Sequence, residues 1–327
     1  MQTEKPRRVF IVLNTAAAGF LHRPVREICG LITSALAVQG ISSDLVLAFD
    51  GSLEKHARAA VADGRADAVI AGGGDGTIGT VAAALVDTGI PLGILPLGRS
   101  NHFARDLGIP ATLEDAVDVI TAGHSAMIDT GEVNGRIFVN NSSLGAYPFF
   151  VLDRDRRHGR RGIQRVIALL LAAFRLLRLF PLRRFSVSAA EQVEIFRTPC
   201  LFVGNNRYQL EVSALGRRRH LDRGALWIYI ARQQTRLQLV WFTFKSLLGL
   251  TDPTRDLRVL HAASAEIGSR AGRLEVALDG EVVRMRSPLH YRIRPASLRV
   301  YAPNGRFRAR GQWSAAEYSP PPLTGKG

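Results

Sequence analysis

Through the first 130 residues, short apolar runs alternate with segments of helical spacing. Val9-Phe10-Ile11-Val12-Leu13 is the first run and ends at Asn14. A small-residue turn, Thr15-Ala16-Ala17-Ala18-Gly19, leads toward an amphipathic segment from Arg26 to Val38. Asp44 to Ala48 then reads as a strand, Leu53 to Ala62 as a helix, and Ala68-Val69-Ile70-Ala71 as a strand. A helix-like run from Thr80 to Val86 and a strand from Pro91 to Pro96 follow. Continuous apolar strands alternating with helices predict a parallel sheet covered on both faces. Ligands of such sheets bind beyond the carboxyl ends of the strands.

After Ile128 the pattern changes. Asn134-Gly135 sits between apolar runs and predicts a type I′ hairpin. Strand patterning then dominates, over 184–188, 192–202, 225–231, 256–267, 273–278, 290–294 and 298–301. The fold class read from this is α/β plus β, with an α/β part over 1–128 and a mainly antiparallel β part over 129–303. The Pro-rich stretch beyond 303, with Ser319-Pro320-Pro321-Pro322, reads as a disordered tail over 304–327. Two helical segments interrupt the β part: 160–184, apolar and punctuated by arginines, and 241–250, apolar and aromatic. They read either as basic amphipathic helices for an anionic lipid surface or as helices packed on the sheet with snorkelling arginines. No internal repeat is visible.

Composition adds one strong constraint. Forty-three Lys and Arg against 28 acids give a net charge of +15. This implies an anionic partner, or else a coding bias toward arginine. The 327 residues suffice for two domains with separate cores. Cys29 and Cys200 lie far apart in apolar surroundings, as buried thiols of a reducing compartment would. The five apolar residues after Arg8 are too few for a signal-peptide core, and no run reaches the ~18 needed to cross a bilayer. The expected location is cytoplasmic, peripheral at the inner membrane face.

The candidate chemistry centres on Ala71-Gly72-Gly73-Gly74-Asp75-Gly76-Thr77-Ile78, a strand–turn–helix. Backbone N–H groups at such a helix N-terminus favour a phosphate, and the missing Cβ atoms let it approach. Asp75 is an anion in an anion-binding turn, which calls for a bridging cation; Mg²⁺ carried by a nucleotide is the obvious one. Gly74, Gly76 and Gly79 satisfy GxGxxG. A dinucleotide fingerprint, however, belongs on the first strand with an acid about twenty residues on, and neither condition holds. No Gly-Lys-Ser/Thr follows, so the turn is not a P-loop. A purely structural turn stays open. In the second informative segment, Pro96 to Gly108, Asn101 reads as a phosphate-positioning or loop-ordering residue, or as a helix N-cap. His102 reads as structural.

Gly73-Gly74-Asp75-Gly76-Thr77, Pro96-Leu97-Gly98 with Asn101 and Phe103-Ala104-Arg105, Val133-Asn134-Gly135-Arg136 with Phe138, and Leu278-Asp279-Gly280-Glu281 together resemble the diacylglycerol kinase catalytic-domain family. The likeness is greatest to soluble bacterial lipid kinases related to sphingosine kinases, and it runs from Phe10 to about Pro303. It implies a Rossmann-like, NAD kinase/diacylglycerol kinase-like N-terminal domain, a C-terminal antiparallel β-sandwich, and an active site between them. It implies that Gly72, Gly73, Gly74, Asp75, Gly76, Thr77 and Ile78 hold ATP phosphates, with Asn14, Ser52, Arg99 and Asn101 near the nucleotide. Glu281 becomes the proton acceptor for a lipid hydroxyl, and Asp75 and Asp279 the carboxylates for Mg²⁺. The expected partners are ATP and a lipid at an anionic membrane surface, without nucleic acid, and a homodimer stays open. The chain departs from the family pattern at Gly79-Thr80 (usually Asn-Glu), at Arg99 (usually Thr) and at Asp222-Arg223-Gly224 (often Asp-Asp-Gly at a structural Mg²⁺ site). Two alternatives stand beside the lipid kinase: a kinase of a soluble acceptor such as NAD, and a catalytically silent nucleotide- or lipid-binding module.

Overall fold

The computed structural model describes residues 2–21, 23–48, 52–145, 182–189, 192–209, 217–232 and 256–305, with 235, 237, 238 and 241 besides. Of the helical segment expected over 160–184, residues 160–181 lie outside these residues, as do nearly all of that over 241–250 and the tail beyond 305; Arg183 and Arg184, expected at its end, are the first residues of a strand.

The chain opens with β1 (Gln2–Thr3) and β2 (Arg8–Asn14), a short 3₁₀ turn (Ala18–Leu21) and α1 (Val25–Val38). It continues with β3 (Ser42–Ala48), α2 (Leu53–Asp63), β4 (Ala68–Gly73), α3 (Asp75–Leu85) and β5 (Leu92–Pro96). Then come α4 (His102–Asp106) and α5 (Leu113–Thr121). The second half holds β6 (His124–Val133), β7 (Arg136–Phe138), β8 (Asn141–Gly145), β9 (Arg183–Ala189), β10 (Gln192–Thr198), β11 (Cys200–Asn205) and β12 (Leu226–Ala231). It ends with β13 (Leu257–Ala262), β14 (Ser264–Ser269), β15 (Arg273–Leu278), β16 (Glu281–Arg286) and β17 (Leu289–Tyr301).

Strands β3, β2, β4 and β5 pair in parallel, and every residue of β4 and β5 is buried. Burial on both faces is why these segments read as unbroken apolar runs. Their helices pack in pairs, α1 with α5 and α2 with α3. Ile28, Ile32 and Leu36 of α1 recur every four residues and supply its buried stripe. Helix α5 was not read from the sequence, although Thr112 caps it by accepting the Asp115 N–H at 3.3 Å.

The β part differs from the expectation of a self-contained unit. Among the described residues, β10, β9, β14 and β17 extend the parallel strands, making an eleven-stranded mixed sheet that also takes in β1, β6 and β7. A separate six-stranded antiparallel sheet has the order β13-β12-β11-β8-β15-β16. The runs expected over 290–294 and 298–301 are one strand, β17, whose pairing with β6 shifts register between Arg294 and Leu298. Ahead of that irregularity, Leu289, Tyr291 and Ile293 enter the core between the sheets. Beyond it, Leu298, Val300 and Tyr301 enter the core of the parallel strands. Strand β6 does the same, with Ile128 in one core and Val133 in the other. The expected boundary at 128/129 therefore falls inside a strand, at the change from one core to the other.

Candidate active site

The site forms where β2, β4 and β5 end and the β15–β16 turn comes to meet them. Two of its glycines are required by what packs on them. A Cβ on Gly73 would stand 2.5 Å from the Thr77 side chain. A Cβ on Gly98 would overlap the Gly74 Cα and come within 2.7 Å of Asn101 Oδ1. The turns after β4 and β5 thus touch backbone to backbone, and a Cβ at Gly98 would force them apart. The first N–H groups of α3 lack intrahelical acceptors. Ile78 N–H is the first to find one, at the Gly74 carbonyl, 3.0 Å away.

Asp75 does not stand as a bare anion in this turn. Its carboxylate accepts the backbone N–H of His102 at 3.1 Å and of Phe103 at 3.0 Å. It caps α4 from a different element and balances its charge against the positive end of that helix. The bridging cation expected from the sequence is not needed to explain the carboxylate. Asn101, at the N-cap position with φ +46°, makes no cap bond of its own. Its Oδ1 accepts the Gly98 N–H at 2.9 Å, and its Nδ2 donates to the carbonyls of Gly98 at 2.8 Å and Pro96 at 3.1 Å. Of the roles weighed for Asn101, the structure shows loop ordering. Asn14 likewise ties its own loop to α3, donating to Thr77 Oγ1 at 2.9 Å and accepting from Ala16 N–H at 3.0 Å.

The second wall is the β15–β16 turn. Asp279 and Gly280 both take positive φ, 48° and 98°, which a tight hairpin requires. The Asp279 carboxylate is buried and accepts three backbone N–H groups: Val139 at 2.8 Å, Asn140 at 2.7 Å and Asn141 at 3.0 Å. Burial pushes its pKa up to about 6, against the pull of those donors. Both carboxylates rest on glycines of α3. A Cβ on Gly76 would meet Glu281 Oε1 at 3.0 Å, and one on Gly79 would meet Asp279 Oδ2 at 3.1 Å. The glycine at 79, a departure from the family pattern, is where the Asp279 side chain lies.

A cleft of about 410 Å³ opens between these walls, lined by Ala16, Ala17, Thr77, Gly98, Arg99 and Glu281 with Asn14, Ala18, Leu21, Gly74 and Gly76. Of the sequence-expected residues, Asn14, Gly74, Gly76, Thr77, Arg99 and Glu281 line it. Gly72, Gly73, Asp75, Asn101 and Asp279 support it from behind, and the Ile78 side chain belongs to the core. Ser52, the N-cap residue of α2, does not line it. At the departure Asp222-Arg223-Gly224, Gly224 N–H donates to Asp129 at 2.7 Å and Arg223 N–H to Asn206 Oδ1 at 3.0 Å.

The sequence reading missed one buried ion pair. Arg218, 2% exposed, binds Asp106 at 2.7 Å through Nε. It sits in an arginine run that looks like solvated surface, and no local signal singles it out.

With this geometry in hand, residues 8–133 match the diacylglycerol kinase catalytic domain. An uncharacterized protein of Synechocystis is 31% identical over 247 residues, covering 74% of this chain and 56% of the relative. A probable YegS-like lipid kinase of Citrobacter koseri is 34% identical over 42% of this chain and 45% of its own length. The chain thus spans about half the length of these curated relatives. Two solved structures from Bacillus anthracis, titled a diacylglycerol kinase and a putative diacylglycerol kinase, share the fold with TM-scores of 0.68 and 0.70. They cover 93% and 92% of this chain, and 100% and 99% of their own, at 19% and 21% identity. Among the described residues, no helix is long and apolar enough to cross a membrane.

Proposed function

We propose that the protein transfers the γ-phosphoryl group of ATP to a lipid hydroxyl, with residues 1–128 binding the nucleotide and 129–303 the acceptor. The observation that carries this reading is the placement of the Glu281 carboxylate over Gly76, at the open N-terminus of α3. Backbone donors and a general base then face one another across a cleft that Arg99 also lines. The α3 N–H groups, with Gly74 and Gly98 open to close approach, suit a polyphosphate. Glu281 accepts the hydroxyl proton as the acceptor oxygen attacks phosphorus. Arg99 supplies charge where the family usually has Thr.

The donor set suits a cation that arrives on the nucleotide rather than one caged by protein. Among the described residues no group of three or more His, Cys, Asp or Glu gathers to hold a metal. Asp75 and Asp279 already serve backbone N–H groups, and Glu281 is the open carboxylate on the cleft. Mg²⁺ held chiefly by phosphates needs only one or two such groups, and it would neutralise charge on the transferring phosphoryl. The acceptor lies at an anionic membrane surface to which the +15 chain is drawn.

The test is transfer of radiolabelled γ-phosphate to vesicles containing diacylglycerol, monoacylglycerol, ceramide, sphingosine or phosphatidylglycerol. Transfer to one of them, abolished or strongly reduced in Glu281→Gln, is expected. No transfer to any, with ATP bound, would leave a silent binding module; transfer to NAD alone would move the acceptor to the soluble class.

A further inference from the structure

Arg218 is the largest fully buried side chain among the described residues. It takes no part in the chemistry above, yet its contacts reach both walls of the cleft. Its Nε and backbone N–H donate to Asp106 Oδ2 and Oδ1 at 2.7 and 3.1 Å, on the last residue of α4. Its Nη1 donates to the carbonyls of Val139 at 2.7 Å and Asn205 at 3.1 Å, and its Nη2 to Asn140 Oδ1 at 2.6 Å. Its guanidinium lies 5.3 Å from the Tyr208 ring centre and 6.0 Å from that of Phe103. Tyr208 in turn donates to the Asn140 carbonyl at 3.1 Å.

These partners belong to the two arms of the site. Helix α4 is the one whose first N–H groups Asp75 holds, so Asp106 fixes the far end of the element that Asp75 ties to the phosphate turn. Val139 and Asn140 are the residues whose N–H groups, with that of Asn141, hold the Asp279 carboxylate two residues before Glu281. A desolvated ion pair contributes little net stability compared with apolar residues of the same volume. What a planar guanidinium with five donors supplies is fixed geometry between several acceptors at once.

We propose that Arg218 is a positioning residue that sets Glu281 over the α3 N-terminus by clamping α4 to the 139–141 segment. This rests on the kinase reading for its catalytic consequence but not for its structural one. Misplacement of a reacting group by about 1 Å costs on the order of 100-fold in rate. Lysine keeps the charge and one donor head but cannot bridge Asp106, two carbonyls and Asn140 together.

The experiment compares wild type, Arg218→Lys, Glu281→Gln and the double variant in the full chain. Steady-state transfer is measured on the lipid that wild type phosphorylates, with ATP affinity by calorimetry and amide hydrogen exchange alongside. Arg218→Lys is expected to lower kcat about 10- to 100-fold, with the ATP Kd within about 3-fold of wild type. In the Glu281→Gln background its further effect on kcat should shrink below about 3-fold, because both changes remove the same placed base. Exchange should quicken at residues 139–145 and 278–283 while β2 and β4 keep their protection. Independent, multiplying losses in kcat, or unchanged exchange at 139–145 and 278–283, would overturn the proposal. If wild type transfers no phosphate while Arg218→Lys loosens those two segments, the kinase reading fails and the clamp stands. Should Arg218→Lys unfold, Asp106→Asn carries the same comparison, since it weakens the α4 side of the clamp alone.

Discussion

Replacing Asp75 by alanine separates two accounts of a carboxylate in a phosphate-type turn. If Asp75 were chiefly a cation ligand, the metal-free protein would carry an anion against its own cleft. Its removal would then be neutral or stabilising. The structure instead assigns it two hydrogen bonds, to His102 N–H at 3.1 Å and Phe103 N–H at 3.0 Å. Hydrogen bonds to a charged group are worth roughly 1.5–3 kcal/mol each when buried. Asp75 is half-buried, so water would serve the freed N–H groups in part, and the two bonds together contribute about 2–3 kcal/mol. Asp75→Ala should therefore lose about 2–3 kcal/mol in urea unfolding with EDTA present. Asp75→Asn keeps one acceptor but turns an amide donor toward the second N–H, so it should recover less than half of that. Hydrogen exchange should quicken first at residues 102–107. An alanine variant as stable as wild type in EDTA would refute the capping account.

Gly98→Ala should separate the two glycine turns, because the new Cβ would overlap the Gly74 Cα; ATP affinity measured by calorimetry should fall at least about 10-fold, where a one-sided cradle would tolerate the change. Under the proposed function, Glu281→Gln should lower kcat about 100-fold or more while the ATP Kd stays within about 3-fold, since the proposed base would act on the acceptor proton and leave the N–H cradle untouched. Asp279 gives a pH signature. Its folded pKa, about 6, lies above the ordinary 3.8, so the folded state holds this proton more tightly. The resulting stability is fully present below about pH 4 and is lost as the pH rises through about 6, a change of up to ~3 kcal/mol. The stability difference between wild type and Asp279→Asn should shift in that direction between pH 4 and 7 in urea titrations, and a flat difference would contradict the burial argument.

Much of the local structure was legible from residue order. Strands buried on both faces read as unbroken apolar runs. Amphipathic helices such as α1 showed their spacing, and Asn134-Gly135 marked its hairpin. Gly72 to Thr77 declared a strand–turn–helix, because such a turn is written in consecutive residues. Helix α5 was missed although its capping Thr112 was present, and β17 was divided because Pro295-Ala296-Ser297 reads as a break. A long neighbour, β6, carries the strand across that irregularity by pairing on both sides of it.

The partners of the site residues could not be read in this way. Asp75 looked like a cation ligand because the sequence shows only the turn around it; its acceptor role depends on α4, 27 and 28 positions on. Asp279 finds its donors 138 to 140 positions away. The sequence by itself determined the elements and the residue types at their ends, since these follow from backbone preference and apolar period. Only the tertiary structure decided which carboxylate caps a helix, which glycine yields to a side chain, and that Arg218 lies buried between the two walls. Hydrogen bonds and close contacts depend on distance in space, and that distance is set by how β6 and β17 run from one core into the other.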